Sequence, residues 1–506
     1  MTDRTPAVLA IDVGTTSAKA GLVGLDGTVL ATARAGYELT VGHLPGRAEQ
    51  DPEAWWSALV ATSRELIEHT RAEVVAVAVD GHGPTMTAVD VDGTPTRQAI
   101  TWLDSRARSE LDELTSTSRL RGWALGVLPA ALWVERNEPS VAGQTRWYLN
   151  TWEFLGLRLT GRCATTRVPG QSLPGGSMLE AAGLAAEKVA PVVDAGAVLG
   201  GLSSSAGLAL GLAAGTPVVA GVVDAFASFH GAGLLAPGDA IDTGGTSGGF
   251  GVYWSRPIEA DGSFCTPGPL AGRYVVGGAM AATGRALDWL RDDVLGGSLG
   301  LSAMFDEAST VPPGADGLVF LPYLAGERSP IWDPAARGAF AGLTLGHGRA
   351  HLVRAVLEAA ALAVRHVATP ILAEGVAVRE MRVCGGPARS ALWNQIKADV
   401  TGFPVAVPHA LETAVVGSGI LGAVGIGAHA DLPAAIRAMT RIDRLYTPRE
   451  ETRATYDRTY EAYVGLYPRL SEALAPLAQL TPAPASDPDV HVRDAEDVAA
   501  VGSLRT

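Results

Sequence analysis

Two short segments, about half a chain apart, carry the residue types that bind phosphate. Residues 10–17 read AIDVGTTS and residues 240–247 read AIDTGGTS. Glycine lets backbone N–H groups approach a ligand closely, and the threonine and serine hydroxyls add donors to a concave anion site. Asp12, which ends the first apolar run, is suited to hold a magnesium ion, usually through water. The pattern predicts two turns that grip one polyphosphate, one turn from each half of the chain.

Either turn alone has a simpler explanation. An Asp-x-Gly-Thr segment is also an ordinary hairpin whose side chains cap its own backbone, and short motifs often match by chance. Two copies in corresponding places favour a chain built from two related halves.

Asp224 is the candidate general base. It follows a predicted strand at 216–223 and precedes a predicted helix that begins at Ala225. A carboxylate at a strand end, with a glycine-lined approach, fits a base that must reach a substrate hydroxyl. A helix N-cap is the alternative, and the two roles are compatible.

The loop after the predicted strand at 74–79 reads DGHGP and is a candidate substrate site. Ligands of α/β sheets bind outside the carboxyl ends of the strands, so His82 and Gly83 are candidate contacts. A surface-loop histidine is the alternative. Asp104 and Arg106 follow another short strand, where they either hold sugar hydroxyls or pair with each other. Gly386, in a Gly-Gly turn between a strand and a helix, would let a ring or phosphate approach the backbone.

The elements that must position these residues alternate between strands and helices. Predicted strands at 7–13, 18–23 and 28–33 precede a helix that starts at Asp51 and a strand at 74–79, which is an α/β layer pattern. The second half repeats it with strands at 274–280 and 381–384, a long helix at 351–374 and a closing helix at 453–473. A lid or insertion is expected within 122–161. The tail from 481 is rich in Pro, Ala and Asp and is expected to be disordered.

The composition of the chain argues against several classes of function. The 506 residues carry a net charge of −14, which argues against nucleic acid and against anionic membrane surfaces. Uncharged stretches at 206–223 and 413–428 are interrupted by glycine, which favours buried elements over membrane spans. The three cysteines are widely spaced, which suits a reducing compartment and argues against disulfides or zinc. No signal-peptide pattern is present at the N-terminus, and a cytoplasmic location is expected.

Three further motifs carry a family resemblance. GAFAGL at 338–343 is followed by HLVRAVLE at 351–358, and the chain also contains LPYLAGERSP at 321–330 and CGGPARS at 384–390. With these motifs the chain resembles the FGGY carbohydrate kinase family, a branch of the sugar kinase, heat-shock ATPase and actin superfamily, and is similar to its xylulokinase-like members. The resemblance covers roughly residues 7–440.

The resemblance implies an α/β fold of two RNase H-like (actin/sugar kinase superfamily) domains that face each other across a cleft. We expect an N-terminal sugar-binding domain at 1–236, a C-terminal nucleotide-binding domain at 237–445, a closing helix at 446–480 and a disordered tail at 481–506. It implies phosphorylation of a sugar or polyol by ATP with Mg²⁺, and a homodimer is common in the family. It assigns Asp224 as catalytic base, and the positions that match the family's phosphate, metal and nucleotide contacts are Asp12, Thr15, Thr16, Ser17, Lys19, Thr246, Gly284, Gly386 and Ser390.

The chain departs from the family pattern where the substrate is selected. Residues 82–84 are His-Gly-Pro, whereas xylulokinases have Gln-Met-His-Gly in this loop and glycerol kinases have Gln-Arg-Glu. Ala225 replaces a common Asn or Gln, and Trp152 stands where Lys is usual. A ketopentose such as xylulose is therefore the default substrate, with another ketose or a polyol open. A superfamily ATPase without a sugar acceptor, and a non-catalytic sugar- or nucleotide-sensing protein, are the rival hypotheses.

Overall fold

The computed structural model describes residues 4–41, 46–117, 125–173, 175–244 and 248–480. The predicted contact Thr246 and the tail at 481–506 lie outside the described residues. The first part of the chain forms strands β1 to β13, which are Thr5–Val13, Ser17–Gly24, Val29–Gly36, Thr40–Val41, Ala48–Gln50, Ala72–Gly81, Thr87–Val89, Ala99–Ile100, Trp147–Leu149, Thr165–Arg167, Val192–Asp194, Val198–Gly201 and Pro217–Val219. Its helices α1 to α8 are Pro52–His69, Arg108–Thr117, Leu128–Asn137, Pro139–Gln144, Thr151–Thr160, Gly176–Ala182, Ser204–Leu210 and Asp224–Gly231.

The second part forms strands β14 to β22, which are Asp239–Asp242, Gly248–Trp254, Phe264–Pro267, Tyr274–Met280, Val319–Leu321, Ala339–Ala341, Glu380–Val383, Val405–Pro408 and Ile442–Tyr446. Its helices α9 to α15 are Arg285–Trp289, Leu301–Ser309, Arg349–Ala373, Ala391–Thr401, Thr413–Gly425, Leu432–Met439 and Glu450–Leu480.

Each part is built on a sheet with the same central topology. The first sheet has the order β12-β13-β6-β1-β2-β3 and the second has the order β16-β17-β15-β14-β20-β21-β22. In each, a central strand pairs antiparallel with the strand that follows it and parallel with a later one, β6 for β1 and β20 for β14. The predicted repeat is therefore present in three dimensions, and each copy of the repeated segment begins in the corresponding strand of its sheet.

Helices α8 and α13 pack together between the two sheets. Their core includes Val8 and Val23 of the first sheet and Ile241 of the second. Although α13 belongs to the second part in sequence, it packs against β1, β2 and β6 of the first sheet. The expected domain limits are not tested by this packing and remain predictions. The packing makes α13 a structural link between the two domains.

Local sequence signals explain several elements. Asp51 caps α1 by accepting a hydrogen bond from the N–H of Glu53, and Pro52 begins the helix, as predicted. Helix α5, within the segment expected to be a lid or insertion, instead contributes Phe154 and Leu155 to the core of the first domain, because the helix packs against β6. Helix α11 is long and apolar enough to cross a membrane, but 72% of its apolar window is buried inside the protein.

Candidate functional site

Two carboxylates lie side by side at the carboxyl ends of β1 and β6. Asp12 and Asp80 are direct partners in the parallel register of these strands, the edge where α/β sheets bind ligands. Asp80 is fully buried and accepts a hydrogen bond of 2.5 Å from Ser418 Oγ on α13. One oxygen of each aspartate, Oδ1, is buried without a hydrogen-bond partner.

Asp80 is a site residue that the sequence analysis missed. Burial raises the pKa of its carboxyl well above the usual range, and the charges of Asp12 and Asp224 add to that shift. A sequence signal for this residue exists, since Asp80 ends a buried strand just as Asp12 does.

Asp224 approaches this pair from the start of α8. It is the first residue of the helix and follows the N-cap Val223, and its Oδ1 accepts a hydrogen bond of 2.7 Å from the N–H of Ala225. Burial, assisted by the charge of Asp12, raises the pKa of Asp224 to about 7. Asp224 is therefore the first residue of the helix and not its N-cap, so the N-cap alternative does not hold. A carboxyl with this pKa can accept a proton near neutral pH.

Tyr37 closes one side of the carboxylate cluster. Its hydroxyl donates a hydrogen bond to the carbonyl of Gly14. Burial raises the pKa of the Tyr37 phenol, with the charges of Asp12 and Asp224 acting in the same direction. Tyr37 is therefore close both to the first turn, at Gly14, and to the carboxylates of Asp12 and Asp224.

The first turn runs from Gly14 to Ser17, between β1 and β2. Gly14 N–H donates to Ser17 O at 3.1 Å. Thr15 holds the turn from outside, because its Oγ1 accepts from Trp102 Nε1 at 3.1 Å and its carbonyl accepts from Gln50 at 2.6 Å. Thr16 is exposed, so its hydroxyl can reach a ligand.

Lys19 lies directly across the hairpin from Asp12 and forms a 2.7 Å salt bridge with Glu412. Glu412 immediately precedes α13 in the second part of the chain. The sequence carries no signal for Glu412, because the contact joins residues 393 positions apart.

The second turn begins at the end of β14. Gly244 has φ +48, and a Cβ at this position would lie 2.8 Å from the carbonyl oxygen of Cys384, so both backbone angle and space require glycine. Asp242 pairs with the buried Lys397 at 2.6 Å. A small depression beside this turn is lined by Asp242, Gly244, Thr283, Gly284, Pro387 and Lys397.

The predicted nucleotide contacts lie around this depression. Gly284 lines it directly, and Gly386 precedes the lining residue Pro387 in a short 3-10 turn. Ser390 is the N-cap of α12, where its Oγ accepts from the N–H of Trp393 at 3.2 Å. The structure thus brings Gly284 to the second turn and places Gly386 and Ser390 on the adjoining strand-to-helix connection.

His82 is buried, with 1% of its surface exposed. Its Nδ1 lies 2.9 Å from Thr85 Oγ1, and its ring packs edge-on against Trp55. Burial lowers the pKa of His82 to about 3, so the ring is neutral at pH 7. The surface-histidine alternative is therefore wrong. Gly83, next to it, packs against the ring of Trp152, which a Cβ would approach to 2.9 Å.

Asp104 pairs with Arg106, one of the two alternatives from sequence. The side chain of Asp104 is fully buried. Its oxygens accept from Arg106 and from the N–H of Ala48 at 2.7 Å. Arg106 also lies over the ring of Trp133. This arrangement holds the segment after β8 in place and leaves no exposed carboxylate at Asp104 for a sugar.

A cavity of about 140 Å³ lies beside the loop at 82–84. Val223, which precedes Asp224, and Phe226, two residues after it, form part of the cavity wall, and Thr266 and Pro267 contribute from the second domain. The cavity therefore adjoins the candidate base and contacts both domains.

Comparisons with known proteins identify the family of the chain. The profile of the FGGY family of carbohydrate kinases matches in two parts, the N-terminal domain at residues 7–168 and the C-terminal domain at 242–426. Xylulose kinase of Escherichia coli (strain K12) is 31% identical over 78% of this chain and 84% of its own length. Gluconokinase of Bacillus subtilis (strain 168) is 27% identical over 91% of this chain and 96% of its own length.

A solved structure extends the match to three dimensions. The crystal structure of xylulose kinase from Rhodospirillum rubrum is 31% identical, covers 92% of this chain and 99% of its own, and superposes with a TM-score of 0.78. The predicted fold of two domains facing across a cleft is confirmed, and so is the predicted activity, phosphorylation of a small carbohydrate. The chain belongs to the FGGY family of carbohydrate kinases, whose members use ATP as phosphate donor.

Proposed function

We propose that this kinase transfers the γ-phosphoryl group of ATP to a hydroxyl of a ketopentose such as xylulose, with Asp224 as the general base. The observation that carries the base assignment is the position of Asp224 beside Asp12, with a pKa raised to about 7. The substrate assignment is supported by the relatives named xylulose kinase. Another ketose or a polyol is the alternative acceptor.

Asp12 is the proposed magnesium contact. Its Oδ1 is buried without a hydrogen-bond partner, and a cation or its bound water would satisfy that atom. No group of three or more His, Cys, Asp or Glu suited to a metal occurs in the part of the chain that is described, which fits an ion held mainly by phosphate oxygens and water. When bound, Mg²⁺ would neutralise charge on the phosphates.

The proposed chemistry follows from the protein groups. The acceptor oxygen forms a bond to the γ-phosphorus while the bond to the β,γ-bridging oxygen breaks. ADP leaves with that electron pair, and the hydroxyl proton passes to Asp224. The turn at Thr15, Thr16 and Ser17 and the second turn at Thr246 would hold the phosphates between them, with Lys19 beside the first. Transfer is loose and in line, so positioning and charge neutralisation supply most of the rate.

The acceptor is proposed to lie between Asp224 and the loop at 82–84, with Gly83 at its edge. The nearby cavity and the ring of Trp152 support this location. The proposed role of His82 is to fix the shape of this loop, since its buried neutral ring packs on Trp55. Asp104 acts by holding Arg106 and the neighbouring backbone.

A panel assay tests this proposal. ADP release should rise with one ketose of a panel of ketoses, aldonates and polyols, with xylulose the expected acceptor. ATP turnover unaffected by every acceptor would favour an ATPase of the superfamily. Acceptor and nucleotide binding without turnover would favour a sensing protein.

We also propose a cytoplasmic location and a homodimer. The composition and cysteine spacing support the first. Light scattering coupled to gel filtration tests the second, for which a mass of about twice 52.1 kDa is expected. A mass near 52.1 kDa would contradict it.

A further inference from the structure

Arg328 is a half-buried cation that contacts both domains. It lies in the loop after β18. Its Nη2 donates a 2.6 Å hydrogen bond to the carbonyl of Met280 in the second domain. Its guanidinium carbon lies 5.4 Å from the ring centroid of Trp102 in the first domain.

Each of these contacts leads to one of the two phosphate turns. Trp102 donates to Thr15 Oγ1 in the first turn at 3.1 Å. Met280 pairs with Gly248, the first residue of the strand that follows the second turn. Arg328 is therefore linked through Trp102 to the first turn and through Met280 to the start of β15, which follows the second turn.

The lysines beside the two turns are already neutralised by carboxylates. Lys19 pairs with Glu412 at 2.7 Å and Lys397 pairs with Asp242 at 2.6 Å. Phosphoryl transfer spreads negative charge over the γ-phosphate oxygens, and a cation that meets this charge is worth a large part of the rate. Neither lysine supplies an uncompensated positive charge.

The positive charge of Arg328 is only partly compensated. Within the described ranges, no carboxylate lies within salt-bridge distance of its guanidinium. Its neighbour Glu327 instead accepts hydrogen bonds from the backbone N–H groups of Ala281 and Arg328. Burial lowers the pKa of Arg328, with Glu327 compensating only in part. Burying a cation without its counter-ion is costly, and an anionic ligand would offset that cost.

We propose that Arg328 contacts the γ-phosphoryl group as it is transferred, and so neutralises charge that grows during the reaction. This inference rests on the proposed function. The acceptor oxygen bonds to the γ-phosphorus, the bond to the bridging oxygen breaks, and ADP leaves with the electron pair. The proton goes to Asp224, while Arg328 gives hydrogen bonds and keeps its own protons. Because Arg328 and Trp102 belong to different domains, this contact also couples transfer to a closed cleft.

The test compares Arg328→Gln and Arg328→Lys with Arg349→Gln, a control at an exposed arginine that pairs with Glu307 on the surface. We expect Arg328→Gln to lower kcat by about 10²–10³-fold, the usual cost of losing one charge-stabilising donor. The Kd for ADP and the KM for the acceptor should change less than threefold. Arg328→Lys should recover part of kcat, and the control should match wild type.

A second measurement needs no acceptor. ADP with fluoroaluminate mimics the transferring phosphoryl group, so wild type should bind this pair more tightly than ADP alone. Arg328→Gln should lose that gain and keep its affinity for ADP. If wild type shows no acceptor-dependent turnover, the proposed function fails, yet this binding test still decides the role of Arg328.

Several results would overturn the proposal. One is a kcat of Arg328→Gln within threefold of wild type, together with the full fluoroaluminate gain. ADP binding weakened as much as kcat would reduce Arg328 to a contact between the domains. If only the KM for the acceptor rises, Arg328 binds a negatively charged group of the acceptor and not the γ-phosphoryl group.

Discussion

Asp12 and Asp80 stand opposite each other on neighbouring parallel strands, at the end of each strand. Two carboxyls this close do not ionise together at little cost. Burial, followed by the charge of Asp12, raises the pKa of Asp80. Burial raises the pKa of Asp12 as well, but the nearby charge of Lys19 acts against that shift. Asp80 also accepts a hydrogen bond from Ser418 on α13.

Replacing Asp80 by asparagine should stabilise the protein more at high pH than at low pH. The folded pKa lies above the unfolded value of about 3.8, so the unfolded chain releases a proton that the folded protein keeps. Stability is then lost as pH rises above the unfolded pKa, by up to about 1.4 kcal/mol per pH unit until the folded pKa is reached. An asparagine side chain has no titrating proton, so the variant escapes this loss.

Urea unfolding at pH 5 and pH 8 measures this effect. The free energy of unfolding of Asp80→Asn, relative to wild type, should be higher at pH 8. Asp92→Asn, at an exposed position, is the control and should show no such trend. An equal difference at both pH values would contradict the account.

The rate should depend on pH through Asp224. Its pKa is raised to about 7, chiefly by burial, so below pH 7 the protonated carboxyl cannot accept a proton. We expect kcat/KM for the acceptor to rise with pH and to level off above about 7. A profile that is flat from pH 5.5 to 8.5 would remove Asp224 from the role of base.

The glycines between α8 and α13 should resist substitution. A Cβ at Gly417 would lie 1.8 Å from the carbonyl oxygen of Ala227 on α8, which would force the two helices apart. Gly417→Ala should cost more than about 3 kcal/mol in the free energy of unfolding, since overpacking against backbone is not easily relieved. Gly143, inside α4 with nothing within 4 Å of a Cβ, is the matched control.

Gly143→Ala should instead stabilise slightly, by up to about 1 kcal/mol, because alanine favours helix. Thermal or urea unfolding of both variants provides the comparison. Similar changes in the free energy of unfolding from the two substitutions would show that the close contact between α8 and α13 does not make Gly417 necessary.

Gly244→Ala should weaken nucleotide binding. It combines a positive φ with a Cβ only 2.8 Å from a backbone oxygen, so the second turn must move. Gly402→Ala is the control, since Gly402 also has a positive φ, of +74, but has open space around it. We expect the Kd for ADP to rise at least tenfold in Gly244→Ala and to stay within twofold in Gly402→Ala. Equal values would mean that the second turn does not contact nucleotide.

Much of this site could be predicted because its signals are local. The repeated segment at 10–17 and 240–247, the strands that precede it and the capped start of α1 depend on neighbouring residues. Glu412 beside Lys19 and Arg328 over Trp102 depend on how distant segments pack, and no spacing in the sequence reports that. The sequence predicts His82 as a substrate contact, but a single polar residue in a loop does not reveal which way its ring points.

The most direct test of the central claim is the turnover of Asp224→Asn with the true acceptor. The variant keeps the shape of the side chain and removes its capacity to accept a proton. We predict a kcat lowered by about 10²–10⁴-fold, with the Kd for ADP unchanged. Turnover within threefold of wild type, with normal acceptor and nucleotide binding, would contradict the account.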